Sequence, residues 1–324
     1  MRFGIIGTNF VTEWLLEAGR LCKDFELTTI YSRSAERAAA FAKAHGAAHA
    51  VASLEALAAS SDVDAVYIAS PTALHFPQAM QMLAAGKHVL CEKPIASSRA
   101  ELEALLAAAE AHHVTVMEAM RPAYSPALQR VCALLPQIGA VRRAEINMCK
   151  YSSRYDAFRA GEKPNAFNPA LSNGALMDLG VYCVHVMLRL FGTPDSVQAM
   201  CVKLANGADG AGALLAGYAD KLVSLSYSKI TDDAQSSAIH GEEGSIYFKD
   251  TSMLRDIRLV PRGAAPVTID NPVLAQDMLY ELEAFIRLAK APEDMRRENQ
   301  YSLEAMRIMD EARRQCGIDF TPTA

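Results

Sequence analysis

Three residues in this chain combine chemistry with constrained spacing: Lys93, Asp178 and Tyr182. Lys93 stands in Cys91-Glu92-Lys93-Pro94, directly after Gly86-Lys87-His88-Val89-Leu90, which reads as a turn and then a short apolar strand. A lysine at the carboxyl end of a strand lies where open α/β sheets bind ligands. The proline behind it fixes one backbone angle and disfavours helix at Lys93, so the ammonium sits on a stiff turn. A solvated Glu-Lys pair before a turn is the bland alternative. In the second half, Gly174-Ala175-Leu176-Met177-Asp178-Leu179-Gly180-Val181-Tyr182-Cys183-Val184-His185 reads as an apolar helix. Asp178 and Tyr182, four apart, share one helical face, and His185 extends it. A carboxylate on such a helix is costly to bury unless it meets a donor or cation, and Lys93 is an obvious partner. Asp178 pairing locally, with Tyr182 packed in the core, is the competing reading.

A second set of residues points to a dinucleotide. Gly7-Thr8-Asn9-Phe10-Val11-Thr12 occupies the place of the G-x-G-x-x-G turn, with Asn9 and Thr12 replacing two glycines. Asn9 is tolerable there because asparagine accepts left-handed backbone angles, and Thr8 and Asn9 can add hydrogen bonds to a pyrophosphate at a helix N-terminus. An NAD-selective site wants an acid at the end of the second strand, for the ribose 2′-hydroxyl. The sequence offers Tyr31-Ser32-Arg33-Ser34 and then Arg37; Glu26 lies at the wrong end of the strand. A hydroxyl and guanidinium groups suit a 2′-phosphate, so NADP is expected and NAD is less favoured. Ser70-Pro71-Thr72 and His75 come at the same edge, within reach of a nicotinamide ribose, and Glu92 adjoins Lys93.

The elements that must position these groups alternate. Strand patterns at 3–6, 27–32, 64–69, 86–90 and 114–118 are separated by helix patterns at 10–21, 35–44, from Ser53, from Pro77, and 98–112. Ser34 is a helix cap, Gly46 a helix stop, and Ser98 with Glu101 a capping box. Repeated β-α units with short links predict a doubly wound parallel sheet. After Arg121-Pro122 the pattern changes. A helix at 125–135 and an alternating strand at 143–150 lead through a Pro/Asn/Gly-rich loop, 161–174, to the apolar helix 175–191. Strands then follow without helices between them, at 196–204, 214–219, 222–229, 236–240, 245–250 and 257–260, predicting an open, mainly antiparallel sheet. Helices at 274–289 and 301–316 close the chain. The expected division is a dinucleotide-binding domain over 1–121 and a substrate-binding and oligomerisation domain over 122–324.

Bulk composition excludes several classes. The 324 residues suit two domains, and 51% hydrophobic against 21% charged residues is ordinary for a globular protein. The net charge of −5 divides as 10 Lys+Arg against 13 Asp+Glu up to Arg121 and 22 against 24 beyond it. Neither part has the basic excess that phosphate-backbone binding needs, so no nucleic-acid partner is expected. Seven scattered cysteines argue against a disulfide framework or a Cys-based metal site and fit a reducing compartment. The first residues already read as a buried strand rather than a signal peptide. No apolar run is expected to cross a membrane. A cytoplasmic protein with no metal follows.

With these pieces assembled, the chain resembles the family of glucose-fructose oxidoreductase, inositol dehydrogenase and rhizopine-catabolism proteins (Gfo/Idh/MocA). The resemblance runs from Gly4-Ile5-Ile6-Gly7 through Gly86 to Pro94 and on to Gly241-Glu242-Glu243-Gly244-Ser245. Tyrosine at 182, where many relatives carry histidine, is most similar to the dimeric dihydrodiol dehydrogenase and NADP–xylose dehydrogenase branch. The resemblance implies a Rossmann domain followed by an α/β domain whose open sheet makes a homodimer or homotetramer. It also implies that Lys93 and Asp178 belong to the catalytic group. The expected activity is hydride transfer between NADP and a secondary alcohol or carbonyl of a sugar, polyol or cyclic diol. Tyr182 would exchange the hydroxyl proton, Lys93 would stabilise the charge developing on the same oxygen, and Asp178 would orient Lys93 or a substrate hydroxyl. Substrate choice would fall to loop 151–168, with Arg154, Tyr155 and Asn165 as polar candidates. A non-catalytic, dinucleotide-dependent sensor of the same fold is the alternative; it has no need of a proton donor beside a lysine.

Overall fold

The computed structural model describes residues 1–320. The described chain divides into two compact units, Met1–Ala119 with Leu274–Leu303, and Met120–Val273 with residues 304–320. The first alternates β1 (Arg2–Ile6), α1 (Phe10–Gly19), β2 (Glu26–Tyr31), α2 (Ala35–His45), β3 (His49–Val51), α3 (Leu54–Ala59), β4 (Ala65–Ile68), α4 (His75–Ala84), β5 (His88–Glu92), α5 (Arg99–Ala111) and β6 (Val116–Ala119). The strands form one parallel sheet in the order β3-β2-β1-β4-β5-β6, as the β-α alternation predicts. Only the three-residue β3 lacked a sequence signal. Its core is the continuous apolar runs of β1, β4 and β5, buried on both faces as parallel strands require.

Local chemistry sets the helix starts. Ser34, Ser53 and Ser98 each accept a backbone N–H at the third helical residue, from Arg37, Ala56 and Glu101. Each cap contributes about 1 kcal/mol. The box at Ser98 closes one residue early, because the Glu101 carboxylate accepts from Ser97 N at 2.7 Å.

The second unit contains α6 (Arg121–Tyr124), α7 (Pro126–Leu134), β7 (Val141–Cys149), α8 (Tyr155–Arg159) and α9 (Val181–Phe191), followed by β8 (Ser196–Lys203), β9 (Asp209–Gly217), β10 (Leu222–Ser228), β11 (Ser237–Gly241), β12 (Gly244–Lys249), β13 (Arg255–Pro261) and β14 (Val267–Thr268). The eight strands are ordered β14-β13-β12-β11-β7-β10-β9-β8 and are antiparallel except for the pair β7/β10. One face packs on α9: Ala144, Ile146, Val223, Leu225, Leu214 and Ala216 are buried. The opposite face leaves Met200, Val202, Leu215 and Leu222 exposed.

The structure corrects the sequence reading at three points. The predicted helix 175–191 is two elements, a π-helical turn over Leu176–Gly180 followed by α9. Pro169–Phe191 is, by length and composition, apolar enough to cross a membrane, contrary to expectation; 78% of its most apolar window is buried inside the fold, where it serves as core. Finally, α10 (Met278–Leu288) and the first part of α11 (Pro292–Cys316) return to the first unit, although both lie far beyond Arg121. Phe285 on α10 meets Phe3 of β1 with ring centres 5.9 Å apart. Apolar residues on α10 thus complete a core begun by the chain's first strand.

Candidate functional site

The parallel register brings the carboxyl ends of four strands to one edge: Ile6 aligns with Tyr31 and with Ile68, and Ile68 with Cys91. Gly7, Ser32, Ser70 and Lys93 lie just past those ends. Gly7 has φ +110°, and a Cβ there would stand 2.7 Å from the Ala69 carbonyl oxygen, so only glycine fits this turn. Asn9 does not adopt a left-handed conformation as expected. It is extended (φ −110°) and caps α1, its Oδ1 accepting from Val11 N and Thr12 N while its Nδ2 donates to Ala69 O at 2.7 Å. The asparagine side chain is therefore committed to shaping the turn. Thr12 is fully buried and donates to Gly7 O at 3.0 Å, which explains a threonine at the place of the third glycine.

At the end of β2, Arg33 is exposed and Ser32 half-buried. Arg37 reaches back from α2, its Nη2 donating to Thr8 O at 2.8 Å. A guanidinium thus stands on the glycine turn. After β2 the chain carries no acid before Glu36, which accepts from the Ser34 hydroxyl at 2.9 Å. A glycine turn closed to any Cβ, a capped helix start and an arginine at its rim fit a dinucleotide phosphate.

The loops after β4 and β5 are joined by His75. Only 1% exposed, its Nδ1 lies 2.9 Å from Pro94 O and its Nε2 2.8 Å from Ser70 O. Burial pushes this imidazole below its ordinary pKa, against the two carbonyls and Glu118, which act the other way. Expected to face a nicotinamide ribose, His75 has both ring nitrogens on backbone carbonyls and fastens Ser70 to Pro94, whose peptide bond with Lys93 is cis. The Ser70 hydroxyl donates to Gln78 at 2.7 Å, and Thr72 is buried in a 3-10 turn, Thr72–Leu74, opened by Pro71. Glu92 accepts from the Tyr67 hydroxyl at 2.5 Å and from Lys93 N at 3.3 Å. Burial first, and this carboxylate next, push the Tyr67 phenol well above its usual range. Glu118, which sequence reasoning passed over as a strand residue, holds the same loop: it accepts from Ile95 N at 3.1 Å and from Ser302 of α11 at 2.6 Å. Its signal was an acid inside an apolar strand.

In the second unit, Asp178 lies on the π-turn and Tyr182 in the first turn of α9. Asp178 is partly exposed and pairs with Lys229, Nζ to Oδ2 2.9 Å. The sequence offers Lys93 as a partner for Asp178; within its own unit Asp178 meets Lys229, just past β10. Asp209, 1% exposed, opens the same segment by accepting from Leu176 N at 2.6 Å. Burial raises the Asp209 carboxyl above its ordinary pKa, opposed by the Leu176 bond and the charge of Lys229. Gly174 is required by this arrangement, since a Cβ would collide with Asp209 Oδ1. Loop 151–168 is built on aromatic contacts, with Tyr155 against Tyr151, Phe158 and Phe167. His185 is buried in α9.

A glycine turn opening a helix on a six-stranded parallel sheet, followed by a unit built on a large open sheet, is the architecture of a two-unit dinucleotide-binding protein. Residues 1–120 match the oxidoreductase family with an NAD-binding Rossmann fold, and residues 136–247 match the GFO/IDH/MocA C-terminal domain. The chain belongs to the GFO/IDH/MocA oxidoreductase family, as the motifs implied. It is 45% identical over 320 residues to the scyllo-inositol 2-dehydrogenase (NADP(+)) IolU of Bacillus subtilis (strain 168), covering 98% of each chain. It is 28% identical over 342 residues to the trans-1,2-dihydrobenzene-1,2-diol dehydrogenase of Xenopus tropicalis, covering 95% of this chain and 99% of that one. In structure it is similar to KijD10, a 3-ketoreductase from Actinomadura kijaniata solved with NADP and TDP-benzene: TM-score 0.86 over 98% of both chains, at 22% identity, a likeness of fold.

Proposed function

We propose that this enzyme is an NADP-dependent dehydrogenase that oxidises a secondary alcohol of a polyol, sugar or cyclic diol, or reduces the corresponding ketone. The observation that carries the reading is the pair of half-sites: a glycine turn with an arginine at its rim, and a carboxylate–lysine pair four residues before a tyrosine. Gly7, Thr8 and Phe10 would border the pyrophosphate, Arg33 and Arg37 the 2′-phosphate, and Ser70, Pro71, Thr72 and Glu92 the ribose and nicotinamide end. NADP supplies the hydride acceptor or donor. Tyr182 takes or returns the hydroxyl proton, Lys93 stabilises negative charge on the same oxygen, and Asp178 orients a substrate hydroxyl. The relatives' named substrates put inositols first, with sugars and dihydrodiols behind.

The same reading places the protein in the cytoplasm, supported by seven free cysteines. It also gives a homodimer or homotetramer built on the open sheet. That face carries Met200 at 80% and Val202 at 56% exposure on β8, Leu215 at 42% on β9 and Leu222 at 52% on β10, three neighbouring strands. Such a contiguous apolar surface fits burial against another copy.

The test is a panel of scyllo-inositol, myo-inositol, D-xylose, D-glucose and a trans-dihydrodiol offered with NADP⁺ and then NAD⁺, followed by absorbance of the reduced nicotinamide. Turnover of an inositol with NADP⁺ is expected. Tight NADP⁺ binding without turnover of any member would replace this reading by a sensor.

A further inference from the structure

Lys229 is 2% exposed, and its charged end is enclosed by three kinds of partner. Its Nζ lies 2.9 Å from Asp178 Oδ2, donates to Ala166 O at 2.7 Å, and stands 4.9 Å from the centre of the Phe167 ring. Its backbone is equally committed: the N–H donates to Gly210 O at 2.8 Å, and the carbonyl accepts from Ser152 N at 2.9 Å. One residue thereby ties the start of β9, the loop after β7, the 3-10 turn Asn165–Phe167 and the π-turn that carries Asp178. On the far side of the π-turn, Asp209 holds Leu176 N.

A buried ammonium is an inefficient way to stabilise a fold, because apolar residues of similar volume serve as well or better. The carboxylate it meets is not buried with it: the Asp178 side chain is 39% exposed while that of Lys229 is 3% exposed. The pair is thus asymmetric, with the cation sunk beneath and the anion at the surface. An exposed carboxylate ordinarily samples several rotamers. This one is anchored from below by a charge-assisted bond, on a helical irregularity of the kind frequent at functional sites.

We propose that Lys229 is the positioning residue of Asp178: it fixes the direction of that carboxylate and compensates its charge, so that substrate hydroxyls meet a pre-set acceptor. The proposal rests on the reading of Asp178 as part of the catalytic group. By fixing Ala166 and Phe167 with the same ammonium, Lys229 also holds the end of loop 151–168 in step with Asp178.

The experiment is a double-mutant cycle on the intact protein with Lys229→Met, Asp178→Asn and the double variant, using NADP⁺ and the best substrate of the panel above. Lys229→Met is expected to lower kcat/KM at least tenfold, leaving NADP⁺ affinity within twofold. In the Asp178→Asn background the same substitution should change kcat/KM by less than twofold. Lys229→Arg, which keeps the charge, should retain at least a third of the parental value. Equal losses from Lys229→Met in both backgrounds, or an Arg variant as weak as the Met variant, would make Lys229 a packing residue and overturn the proposal. Parental activity in Asp178→Asn would instead remove the catalytic reading of Asp178 itself. No turnover of any panel member would overturn both. Should Lys229→Met not fold, Lys229→Gln carries the same arms.

Discussion

At the scale of single residues, the proposed chemistry divides between proton exchange by Tyr182 and charge stabilisation by Lys93. Lys93→Met and Tyr182→Phe should each lower turnover by about 10²- to 10⁴-fold, the usual contribution of a positioned acid–base group, with NADP⁺ binding largely retained. Steady-state kinetics beside a binding titration checks this; losses of only a few-fold in both variants would move the site elsewhere. Cofactor choice also belongs to single residues. Arg33 is exposed at the end of β2, whereas Arg37 already spans to the Thr8 carbonyl. Arg33→Ala should therefore lower NADP affinity selectively, by roughly ten- to a hundredfold, as loss of a charge-assisted bond of about 1.5–3 kcal/mol requires. Arg37→Ala should weaken NADP and NAD together, because it also releases the turn. Calorimetry with both cofactors at matched ionic strength decides, and equal losses for both in Arg33→Ala would make Arg33 an adenine contact instead.

At the scale of elements, the loops after β4 and β5 behave as one piece because His75 links them from beneath. Both of its partners are carbonyls, so the neutral ring donates to one at a time. Burial nonetheless holds the ring below its ordinary pKa. The native state thus prefers the neutral form while the unfolded chain titrates near pH ~6.5. The contribution to stability is present above that value and is lost as pH falls through it toward the lower native pKa. His75→Asn should cost about 1–3 kcal/mol near pH 8, with the difference from the parent shrinking below pH ~6.5. Denaturant unfolding at a series of pH values measures this, and a difference independent of pH would show that the ring's charge is immaterial. Much of this arrangement was legible beforehand. Ser70-Pro71-Thr72, His75 and Glu92-Lys93-Pro94 were all singled out because they follow apolar strands that must end at one edge. The role of His75 was not legible, since nothing in a local pattern tells a ring that faces solvent from one that fastens two loops.

At the scale of the molecule, the second unit carries a sheet with one face buried on α9 and the other rich in exposed apolar and small side chains. If that face joins copies, Met200→Lys combined with Val202→Lys should convert the assembly to smaller species. Light scattering after size-exclusion chromatography reads the change directly. A parent protein that runs as a monomer at micromolar concentration would sink the proposal. The placement of α10 is a further whole-molecule result: its apolar residues find their partners on β1 and α1 of the first unit, so the break in pattern at Arg121 marks only one of the places where the chain changes unit.

What the amino-acid sequence determined by itself is short-range. Alternating apolar runs and capped helices specify the parallel sheet, because burial of one face and satisfaction of the first helical N–H groups depend on residues within a turn of each other. Gly7 is required by its own backbone angle, and the acid-free end of β2 is readable as it stands. Tertiary structure alone decided the rest. A cation for Asp178 is foreseeable from an acid on an apolar helix, but that Lys229 supplies one from the end of a distant strand is not. Asn9 and Thr12 were expected to sit where glycines belong, and only packing against Ala69 and Gly7 shows why they do so without strain. Asp209 and Lys229 hold the two sides of the π-turn, contacts absent from the helical periodicity of 175–191. Partners far apart in sequence are chosen by which surfaces close-pack, and close packing is a property of the assembled chain.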